Sequence, residues 1–468
     1  MKIEQIYTGC LAQGAYYIES NGQVAIIDPL REVQPYIDRA NADDAKIKYI
    51  FETHFHADFV SGHVTLAEKT NAPIVFGPNA NPSFKAHIAK DGEVFQLGDI
   101  TITLLHTPGH TMESSCYLLK DKNGKDYAVF SGDTLFLGDV GRPDLAQISG
   151  KITQEDLAGM LYESLRTKVM TLADDVIVYP AHGAGSACGK NLSKETVGSI
   201  GEQKTTNYAL RANMTKEEFV NEVTDGLLPP PAYFPMNVKL NKEGYKNVEN
   251  IISEAKAFDA KTFELAANEV EALILDVRHQ NDFEKGHIPK SIFIGIDGGF
   301  APWVGALILD YKQPILLVTP KGREQETITR LARVGYDNTI GYLEGSFEAW
   351  KNAGMEYETI NSVSAEVLEE EISLNAKIFD VRKPGEYQAE HITEVPSTPL
   401  DFLNDHLAEF PKEDNFYLYC AGGYRSVIAA SILKARGYQN VINVLGGFDA
   451  IKNTGIKTTA FVCPSTIK

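Results

Sequence analysis

The amino-acid sequence predicts a multidomain α/β protein, and three observations support this prediction. The chain has 468 residues, which is enough for roughly three domains if each takes about 150 residues. In the first half, several apolar, strand-like runs end in histidine or aspartate. The second half contains two copies of one pattern in which short apolar strands alternate with helices, which is typical of a parallel α/β sheet.

Composition and charge narrow the classes of function. The formal net charge of −19 argues against binding to a phosphate backbone, so we expect no nucleic-acid partner. We also expect no membrane partner, because no apolar run reaches the ~18 residues of a membrane span. Residues 1–22 lack the pattern of a signal peptide. Five cysteines without paired spacing do not form a disulfide framework, and they favour a cytoplasmic location.

The most informative stretch of the first half is residues 52–59, with the sequence E-T-H-F-H-A-D-F. Short strands are predicted before it at 3–7, 16–19 and 24–28, and an apolar run at 49–51 leads into it. Side chains alternate along a strand, so His54, His56 and Asp58 could converge at a strand end and bind a divalent transition metal. The alternative is a solvated loop, because short His/Asp clusters also occur without a metal.

Three further strand-like runs end in a candidate metal ligand. The run at 101–105 leads to His106 and His110, the run at 127–130 leads to Asp133, and the run at 176–179 leads to His182. Loops after strands can bring such side chains together on a rigid base. Four strand ends of this kind are much harder to attribute to chance than one. The first half is therefore predicted to hold a metal site.

The motifs T-H-F-H-A-D, H-T-P-G-H-T, S-G-D-T-L-F and Y-P-A-H, in this order, resemble the metallo-β-lactamase superfamily. The resemblance covers residues 1–240, which we take as a first domain with a helical, proline-rich connector at its end. It implies an αββα sandwich with the metal site at one edge of two packed sheets. The family's two-metal hydrolases carry H-x-H-x-D-H. This chain has Phe59 at the last position, so one metal ion is expected rather than two.

Within that superfamily the chain resembles the persulfide dioxygenase branch, which holds a single non-haem iron with two histidines and one aspartate. The resemblance implies one Fe(II) per chain, bound by His54, His110 and Asp133. It places His56, Asp58 and His182 around these ligands, where they would orient the ligands or bound water.

Arg142 and Cys188 are candidates for further roles near the metal. Arg142, in the sequence G-R-P-D, resembles the arginine with which that branch binds the anionic part of its substrate. A surface ion pair is the alternative for this residue. Cys188 follows the His182 motif where glutathione-using relatives carry a tyrosine-containing loop, which leaves the thiol carrier open. It is a candidate redox or persulfide-accepting thiol, with a buried structural cysteine as the alternative.

The connection between the two halves is predicted from local signals. Residues 205–224 are predicted to form one helix, with a capping box at 215–218. Four prolines, at 229–231 and 235, then predict an extended connector. We place the domain boundary near residue 254.

Residues 273–350 and 377–451 repeat one skeleton. L-D-V-R at 275–278 matches F-D-V-R at 379–382 with an offset of 104 residues, and Gly335 matches Gly437 with an offset of 102. Nearly constant offsets indicate two copies of one α/β domain. We place the first copy at 255–356 and the second copy at 362–463.

The second copy contains C-A-G-G-Y-R-S at 420–426, between a predicted strand and a predicted helix. A glycine-bearing loop that opens a helix points backbone N–H groups at its centre, and these would stabilise a thiolate at Cys420. The loop resembles that of the rhodanese family, in which the cysteine carries sulfane sulfur. The resemblance implies catalytic roles for Cys420 and Arg425 and substrate binding by Gly422 and Gly423.

The first copy has L-V-T-P-K-G-R at 317–323 in the equivalent place. Val318 or Thr319 takes the position of the cysteine, depending on where one residue is missing. Neither is a sulfur nucleophile. This copy is therefore predicted to be catalytically inactive and to serve as a scaffold or a docking surface.

Together, the two resemblances imply an iron persulfide dioxygenase fused to a sulfurtransferase. It would oxidise a small thiol persulfide with O2 to sulfite, and convert sulfite and persulfide to thiosulfate, as in sulfide detoxification. Two alternatives stay open. One is a glyoxalase II-like zinc thioester hydrolase fused to a sulfurtransferase, and the other is a non-enzymatic sulfur-relay module. Family analogy also implies a homo-oligomer.

Overall fold

The computed structural model describes residues 1–190 and 192–463, and the chain folds into two compact units. The first unit comprises Met1–Val248 with Ala332–Gly335, and the second comprises Glu249–Leu331 with the chain from Tyr336 onward. Within the described ranges, each helix is too short or too polar to serve as a membrane-spanning segment.

The first unit contains two six-stranded sheets. In spatial order, the strands of the first sheet are β1 (Lys2–Thr8), β2 (Gln13–Ser20), β3 (Gln23–Ile27), β4 (Lys46–Phe51), β5 (Ile74–Phe76) and β6 (His87–Ile88). Those of the second are β7 (Val94–Leu97), β8 (Ile100–His106), β9 (Ser115–Lys120), β10 (Asp126–Gly132), β11 (Ile177–Pro180) and β12 (Gly198–Ser199). Pairing is parallel from β3 to β6 and between β10 and β11, and antiparallel elsewhere.

Helices cover the outer face of each sheet. In chain order they are α1 (Gln34–Ala42), α2 (His63–Thr70), α3 (Gln154–Ser164), α4 (Ile200–Thr206), α5 (Lys216–Thr224) and α6 (Phe234–Glu243), and α7 (Val248–Glu254) follows them. Side chains alternate along β2, so Tyr16 packs in the core between the two sheets while Tyr17 packs against α1 and α2. A third core lies between the second sheet, α3 and α5. The predicted αββα sandwich is confirmed.

Three local predictions differ from the structure. The metal motif lies in a loop, because β4 ends at Phe51. The predicted helix at 205–224 is two helices, α4 and α5, with a break between them, although the capping box of Thr215 and Glu218 is present. Pro235 does not extend the connector but lies in the first turn of α6, where proline's missing N–H costs nothing.

The second unit contains two parallel sheets, one for each repeat. In spatial order, the strands of the first copy are β13 (Lys256–Phe258), β17 (Thr339–Leu343), β16 (Ile315–Val318), β14 (Leu273–Asp276) and β15 (Ile292–Phe293). Those of the second copy are β18 (Asn361–Val363), β21 (Val441–Val444), β20 (Phe416–Tyr419) and β19 (Lys377–Asp380). The predicted pair of parallel α/β repeats is confirmed.

Helices connect these strands, as parallel pairing requires. In the first copy they are α8 (Ala260–Glu269), α9 (Gln280–Lys285), α10 (Phe300–Leu307), α11 (Glu324–Arg333) and α12 (Ser346–Asn352). In the second they are α13 (Ala365–Ile372), α14 (Pro384–Ala389), α15 (Tyr424–Ala435) and α16 (Gly447–Ile451). The strand β20 is interior to its sheet and leads directly into Cys420. Ligand sites of parallel α/β sheets form at such carboxyl ends of strands.

Candidate metal centre and sulfur-transfer site

Four loops, each of which follows a strand, carry the candidate metal ligands of the first unit. His54 follows β4, His110 follows β8, Asp133 follows β10 and His182 follows β11. All four side chains are buried. The strands supply a rigid base, so the positions of these side chains are defined by the sandwich.

His54, His110 and Asp133 form one group, which we call the primary group. Their potential ligand atoms lie within 4.8 Å of one another. Oδ2 of Asp133 is 3.3 Å from Nε2 of His110 and 3.8 Å from Nε2 of His54. Two imidazole nitrogens and one carboxylate oxygen, all buried and converging, are a suitable ligand set for a divalent transition metal.

Hydrogen bonds orient both imidazoles of the primary group. Thr53 donates its hydroxyl to Oδ2 of Asp28 at 2.8 Å, so its oxygen is free to accept from Nδ1 of His54 at 3.0 Å. Nδ1 of His110 donates to the backbone oxygen of Arg142 at 2.9 Å. With Nδ1 carrying the proton, each Nε2 keeps its lone pair for a metal. Burial, together with the neighbouring imidazoles, also holds the pKa of His54 well below its usual range.

His56, Asp58 and His182 form a second group, and their ligand atoms also lie within 4.8 Å of one another. Nε2 of His182 is 3.5 Å from Oδ2 of Asp58. Nε2 of His56 is 3.1 Å from Oδ1 of Asp28. Burial opposes a charge on His56, but the carboxylates of Asp28, Glu52 and Asp58 together outweigh burial and raise the pKa of His56 to about 9. The ring of Phe59, fully buried, lies 4.4 Å from that of His56.

Several buried polar atoms in this region lack a hydrogen-bond partner. They include both carboxylate oxygens of Asp133, Oδ1 of Asp58 and Nε2 of His182. A buried polar atom without a partner costs roughly 1–3 kcal/mol, and a bound metal ion removes that cost. The residues present therefore fit a metal, which the primary group would hold through the orphaned carboxylate of Asp133 and the imidazoles of His54 and His110.

Cys188 is buried beside the metal groups. Its sulfur, Asp133 and His182 again place their ligand atoms within 4.8 Å of one another. Burial raises the pKa of the Cys188 thiol well above its usual range, and the charges of Asp58 and Asp133 add to this effect. A neutral thiol is therefore the favoured form of Cys188 next to these carboxylates.

Arg142 is almost completely committed to partners within its own unit. Its guanidinium binds both carboxylate oxygens of Asp144 at 2.7 Å each. It also donates to the backbone oxygens of Ala187 and Leu228. The ion pair considered as the alternative is thus present, although it is buried rather than on the surface. A substrate contact by Arg142 stays a prediction and would require one of these bonds to be exchanged.

The Cys420 loop of the second unit is a compact anion cradle. The sulfur of Cys420 accepts from the backbone N–H of Gly423 at 3.1 Å and lies 3.5 Å from the hydroxyl of Ser426. Gly423 has a φ of +103°, a backbone conformation that glycine adopts readily, and α15 begins at the next residue. A cysteine at a helix N-terminus with such donors is suited to nucleophilic sulfur chemistry.

Arg425 makes an ion pair with Glu386, at 2.5 and 2.8 Å. Glu386 comes from the first turn of α14, and Arg425 from the first turn of α15, directly after the Cys420 loop. Burial opposes the charge of Glu386, but the bonds with Arg425 outweigh it and lower the pKa of Glu386. The pair thus holds the guanidinium beside the loop. Gly422 lies in the same loop. A Cβ added at Gly422 would have no other atom within 4 Å, so the space beside this residue is open.

Counted from the strand end, the first copy keeps a glycine, Gly322, in the place of Gly423 but lacks both the cysteine and the arginine of the second copy. The strand β16 ends at Val318, as β20 ends at Tyr419, so Thr319 and not Val318 stands in the place of Cys420. Glu324 begins α11. It lies five residues after Thr319, as Arg425 lies five residues after Cys420, so Glu324 takes the position of Arg425. An acidic side chain at that point disfavours an anion.

Sequence reasoning missed three residues that shape the two sites: Asp28, Thr53 and Glu386. Asp28 and Thr53 adjoin predicted motifs, and a carboxylate before proline at a strand end was the available signal for Asp28. Glu386 belongs to a helix-start pattern, K-P-G-E, but nothing in that pattern indicates Arg425 as its partner. Its role depends on a contact between residues 39 positions apart.

Comparison with known proteins identifies the family. The model of the metallo-β-lactamase superfamily matches residues 8–182, and that of the rhodanese-like domain matches 259–353 and 364–454. A solved metallo-β-lactamase from Staphylococcus aureus is 30% identical, with a TM-score of 0.65, and the match covers 73% of this chain and 98% of that one. The chain belongs to the metallo-β-lactamase superfamily. It is a metal-dependent enzyme of that superfamily that also carries rhodanese-like, sulfurtransferase-type domains.

Other members of the superfamily carry different names. A probable hydroxyacylglutathione hydrolase from Schizosaccharomyces pombe is 34% identical over 161 residues. That match covers 34% of this chain and 58% of the relative, so the chain spans less than two thirds of its length. The solved structure of ETHE1 from Myxococcus xanthus is 29% identical and matches 52% of this chain and 98% of that one. The TM-score of that match is 0.44.

Proposed function

We propose that the chain is an iron(II) persulfide dioxygenase joined to a thiosulfate-forming sulfurtransferase. Phe59 carries this proposal. A second metal would need a ligand at that position, and the Phe59 ring, packed against His56, offers none. The primary group, with two imidazoles and one carboxylate, then supplies the ligand set that suits a single iron(II).

In this proposal the first reaction is RSSH + O2 + H2O → RSH + SO3²⁻ + 2H⁺, with R a small organic group. Bound iron(II) supplies the redox chemistry that dioxygen requires. The chain's own residues define the site: His54 and His110 present Nε2 lone pairs because Thr53 and the oxygen of Arg142 hold their Nδ1 protons. Phe59 and Phe136, both fully buried, exclude water beside His56 and His182.

The second reaction uses Cys420. Its thiolate attacks the outer sulfur of RSSH, a new S–S bond forms, and RS⁻ leaves with the electrons of the old bond. Sulfite then attacks the outer sulfur of the Cys420 persulfide, which releases thiosulfate and restores the thiol. The N–H of Gly423 stabilises sulfur anions at this position, and Arg425 supplies positive charge beside the loop.

Cys188 fits this proposal as a thiol next to the primary group. A neutral, buried thiol there is not a free nucleophile. It would act as a persulfide acceptor only if the bound metal offset the negative charge of Asp58 and Asp133. We therefore assign the sulfur transfer to Cys420 and keep the redox role of Cys188 as a candidate.

A zinc thioester hydrolase is the second candidate function. Two observations favour it: the second group also assembles within 4.8 Å, and a relative is named a hydroxyacylglutathione hydrolase. Such hydrolysis uses metal-activated water. Two zinc ions per purified chain, together with thioester hydrolysis, would favour the hydrolase over the dioxygenase.

Oxygen uptake by iron-loaded protein tests the proposal. The protein is given a small organic persulfide, and sulfite and thiosulfate are quantified for the parent and for Cys420→Ser. We expect both proteins to consume oxygen, and the variant to accumulate sulfite without forming thiosulfate. If the parent consumes no oxygen with several persulfides, the dioxygenase assignment is wrong and thioester hydrolysis becomes the leading function.

A further inference from the structure

A contact between the two copies of the second unit reaches the Cys420 loop. Tyr424 follows Gly423 and begins α15, and its Oη donates a hydrogen bond to the backbone oxygen of Gly295 at 2.8 Å. Its ring also lies 5.8 Å from that of Phe293, in an edge-to-face arrangement. Gly295 and Phe293 belong to the first copy. Tyr424, the neighbour of the residue whose N–H donates to the Cys420 sulfur, is therefore held by the first copy, which lacks a cysteine.

The ring of Tyr424 rests on a glycine segment, residues 295–299, with the sequence G-I-D-G-G. A Cβ added at Gly298 would lie 2.3 Å from Cζ of Tyr424, and one added at Gly295 would lie 3.1 Å from Cε2. The backbone at Gly298 is outside the left-handed region, so alanine could adopt it without strain. Glycine is needed at 298 because the tyrosine ring occupies the space of a side chain.

A second contact braces the same helix further along. The backbone N–H of Phe293 donates to the hydroxyl of Ser431, in α15, at 2.9 Å. The amide of Asn443 donates to the carboxylate of Glu284 at 2.8 Å, so β21 is also tied to the first copy. The helix that the Cys420 loop opens is thus supported at its start and in its interior by the first copy.

We propose that the first copy positions the Cys420 loop, with Tyr424 as the positioning residue and the glycine segment as the surface that holds its ring. The physical link is short. Gly423, whose N–H donates to the Cys420 sulfur, is bonded directly to Tyr424, so a displacement of the ring moves that donor. This gives the inactive copy a defined task in sulfur chemistry at Cys420. The inference rests on the proposed role of Cys420, but its test does not require that role.

The test is the pH profile of Cys420 alkylation by iodoacetamide in the full-length protein, followed by mass spectrometry of the peptide that contains Cys420. The midpoint of the profile reports how well the loop stabilises the thiolate, whereas a change in access alters only the plateau at high pH. We expect Gly298→Ala to shift the midpoint to higher pH and to lower the rate at neutral pH, relative to the plateau, roughly tenfold, as the loss of a charge-assisted hydrogen bond would.

Two further variants show whether the ring of Tyr424 carries the effect. Gly299→Ala is the matched control, since its Cβ would lie 3.3 Å from the nearest atom of Trp303 and would not contact Tyr424; its midpoint should stay at the parent value. Combining Gly298→Ala with Tyr424→Leu should shift the midpoint no further than Tyr424→Leu alone, because the second change removes the ring that the first displaces.

An unchanged midpoint in Gly298→Ala would overturn the proposal, and so would shifts that simply add in the double variant. If Gly298→Ala fails to fold, as judged by the fluorescence of Trp303 and Trp350, the single variants Tyr424→Leu and Tyr424→Phe decide, and parent-like midpoints in both would overturn it. Alkylation consumes no persulfide or sulfite. The midpoint of Cys420 alkylation can therefore be interpreted even if the proposed sulfur transfer proves wrong.

Discussion

Replacing Asn241 with alanine should loosen the loop that carries the metal ligands. Asn241, in α6, is fully buried, and its amide makes three hydrogen bonds to the backbone of that loop. Nδ2 donates to the backbone oxygens of His56 and Phe59, each at 2.8 Å, and Oδ1 accepts from the N–H of Ser61 at 2.8 Å. One side chain thus satisfies three buried backbone groups of residues 56–61.

The magnitude follows from these bonds. Alanine leaves two buried carbonyls and one buried N–H without a partner, and each such group costs roughly 1–3 kcal/mol. We expect Asn241→Ala to lower the free energy of unfolding of the first unit by about 3–9 kcal/mol, which exceeds the effect of most single substitutions. The same loop carries His54, His56 and Asp58, so metal retention against a chelator should fall about 10–100-fold.

Hydrogen exchange on the full-length protein, resolved by peptide, measures this effect in each unit separately. Peptides from β2 to β4 report the first unit, and the peptide that spans residues 52–66 reports the loop. Peptides from the second unit, together with Trp303 and Trp350, serve as internal controls because both tryptophans lie there. The matched variant is Asn221→Ala, which makes the same chemical change at an exposed position of α5.

If the free energy of unfolding of the first unit in Asn241→Ala stays within about 1 kcal/mol of the parent value, the role assigned to Asn241 is refuted. About 1 kcal/mol is what one ordinary hydrogen bond contributes. Asn241→Asp tests the contribution of the amide oxygen separately from that of the amide nitrogen. It keeps an acceptor for Ser61 but turns a carboxylate toward the oxygens of His56 and Phe59. We expect it to be at least as destabilising as alanine.

Three further predictions can be measured directly. Phe59→His restores a ligand beside the second group, so metal analysis should show an increase from about one to about two ions per chain; an unchanged count would contradict the single-metal proposal. Burial holds the pKa of His287 at about 4, below its ordinary 6.5, so the protonated form is disfavoured in the folded state and stability is lost as pH falls from 6.5 toward 4. Between pH 7 and 5 the second unit should lose about 2 kcal/mol through this group. Tryptophan-detected unfolding of His287→Gln should lack that loss, whereas the control His406→Gln, at a half-buried histidine, should keep it. Thr319→Cys in a Cys420→Ser background should form no thiosulfate, because Glu324 stands where an arginine is needed; appreciable turnover would show that the loop backbone alone suffices.

Much of the architecture was predictable from the sequence because the patterns that indicate strands, helices and motifs extend over only a few residues. Strand-like runs that end in His54, His110, Asp133 and His182 predicted a metal site, and the four positions do converge in space. The repeated D-x-R and Gly-Tyr pattern predicted two parallel α/β copies, and each copy has its own sheet. Periodicity, turn residues and motif spacing act over a few residues, so they are visible without a structure.

The partners of these residues were decided only by the tertiary structure. The spacing of His54, His56 and Asp58 suggested that they would converge, but the loop separates His54 into the primary group and His56 and Asp58 into the second. The substrate contact of Arg142 stays a prediction, and the structure adds partners that its motif did not indicate, namely an ion pair with Asp144 and bonds to two distant carbonyls.

Contacts across long stretches of sequence explain the remainder. Asn241 holds a loop that lies more than 180 positions earlier, and Tyr424 rests on glycines that lie more than 120 positions earlier. Neither pairing leaves a local pattern, because an asparagine in a helix and a tyrosine at a helix start are ordinary in isolation. Local signals in the sequence thus indicated most of the elements and most of the residues that carry chemistry. Only packing decided which groups face each other, since that depends on how whole sheets and helices are brought together.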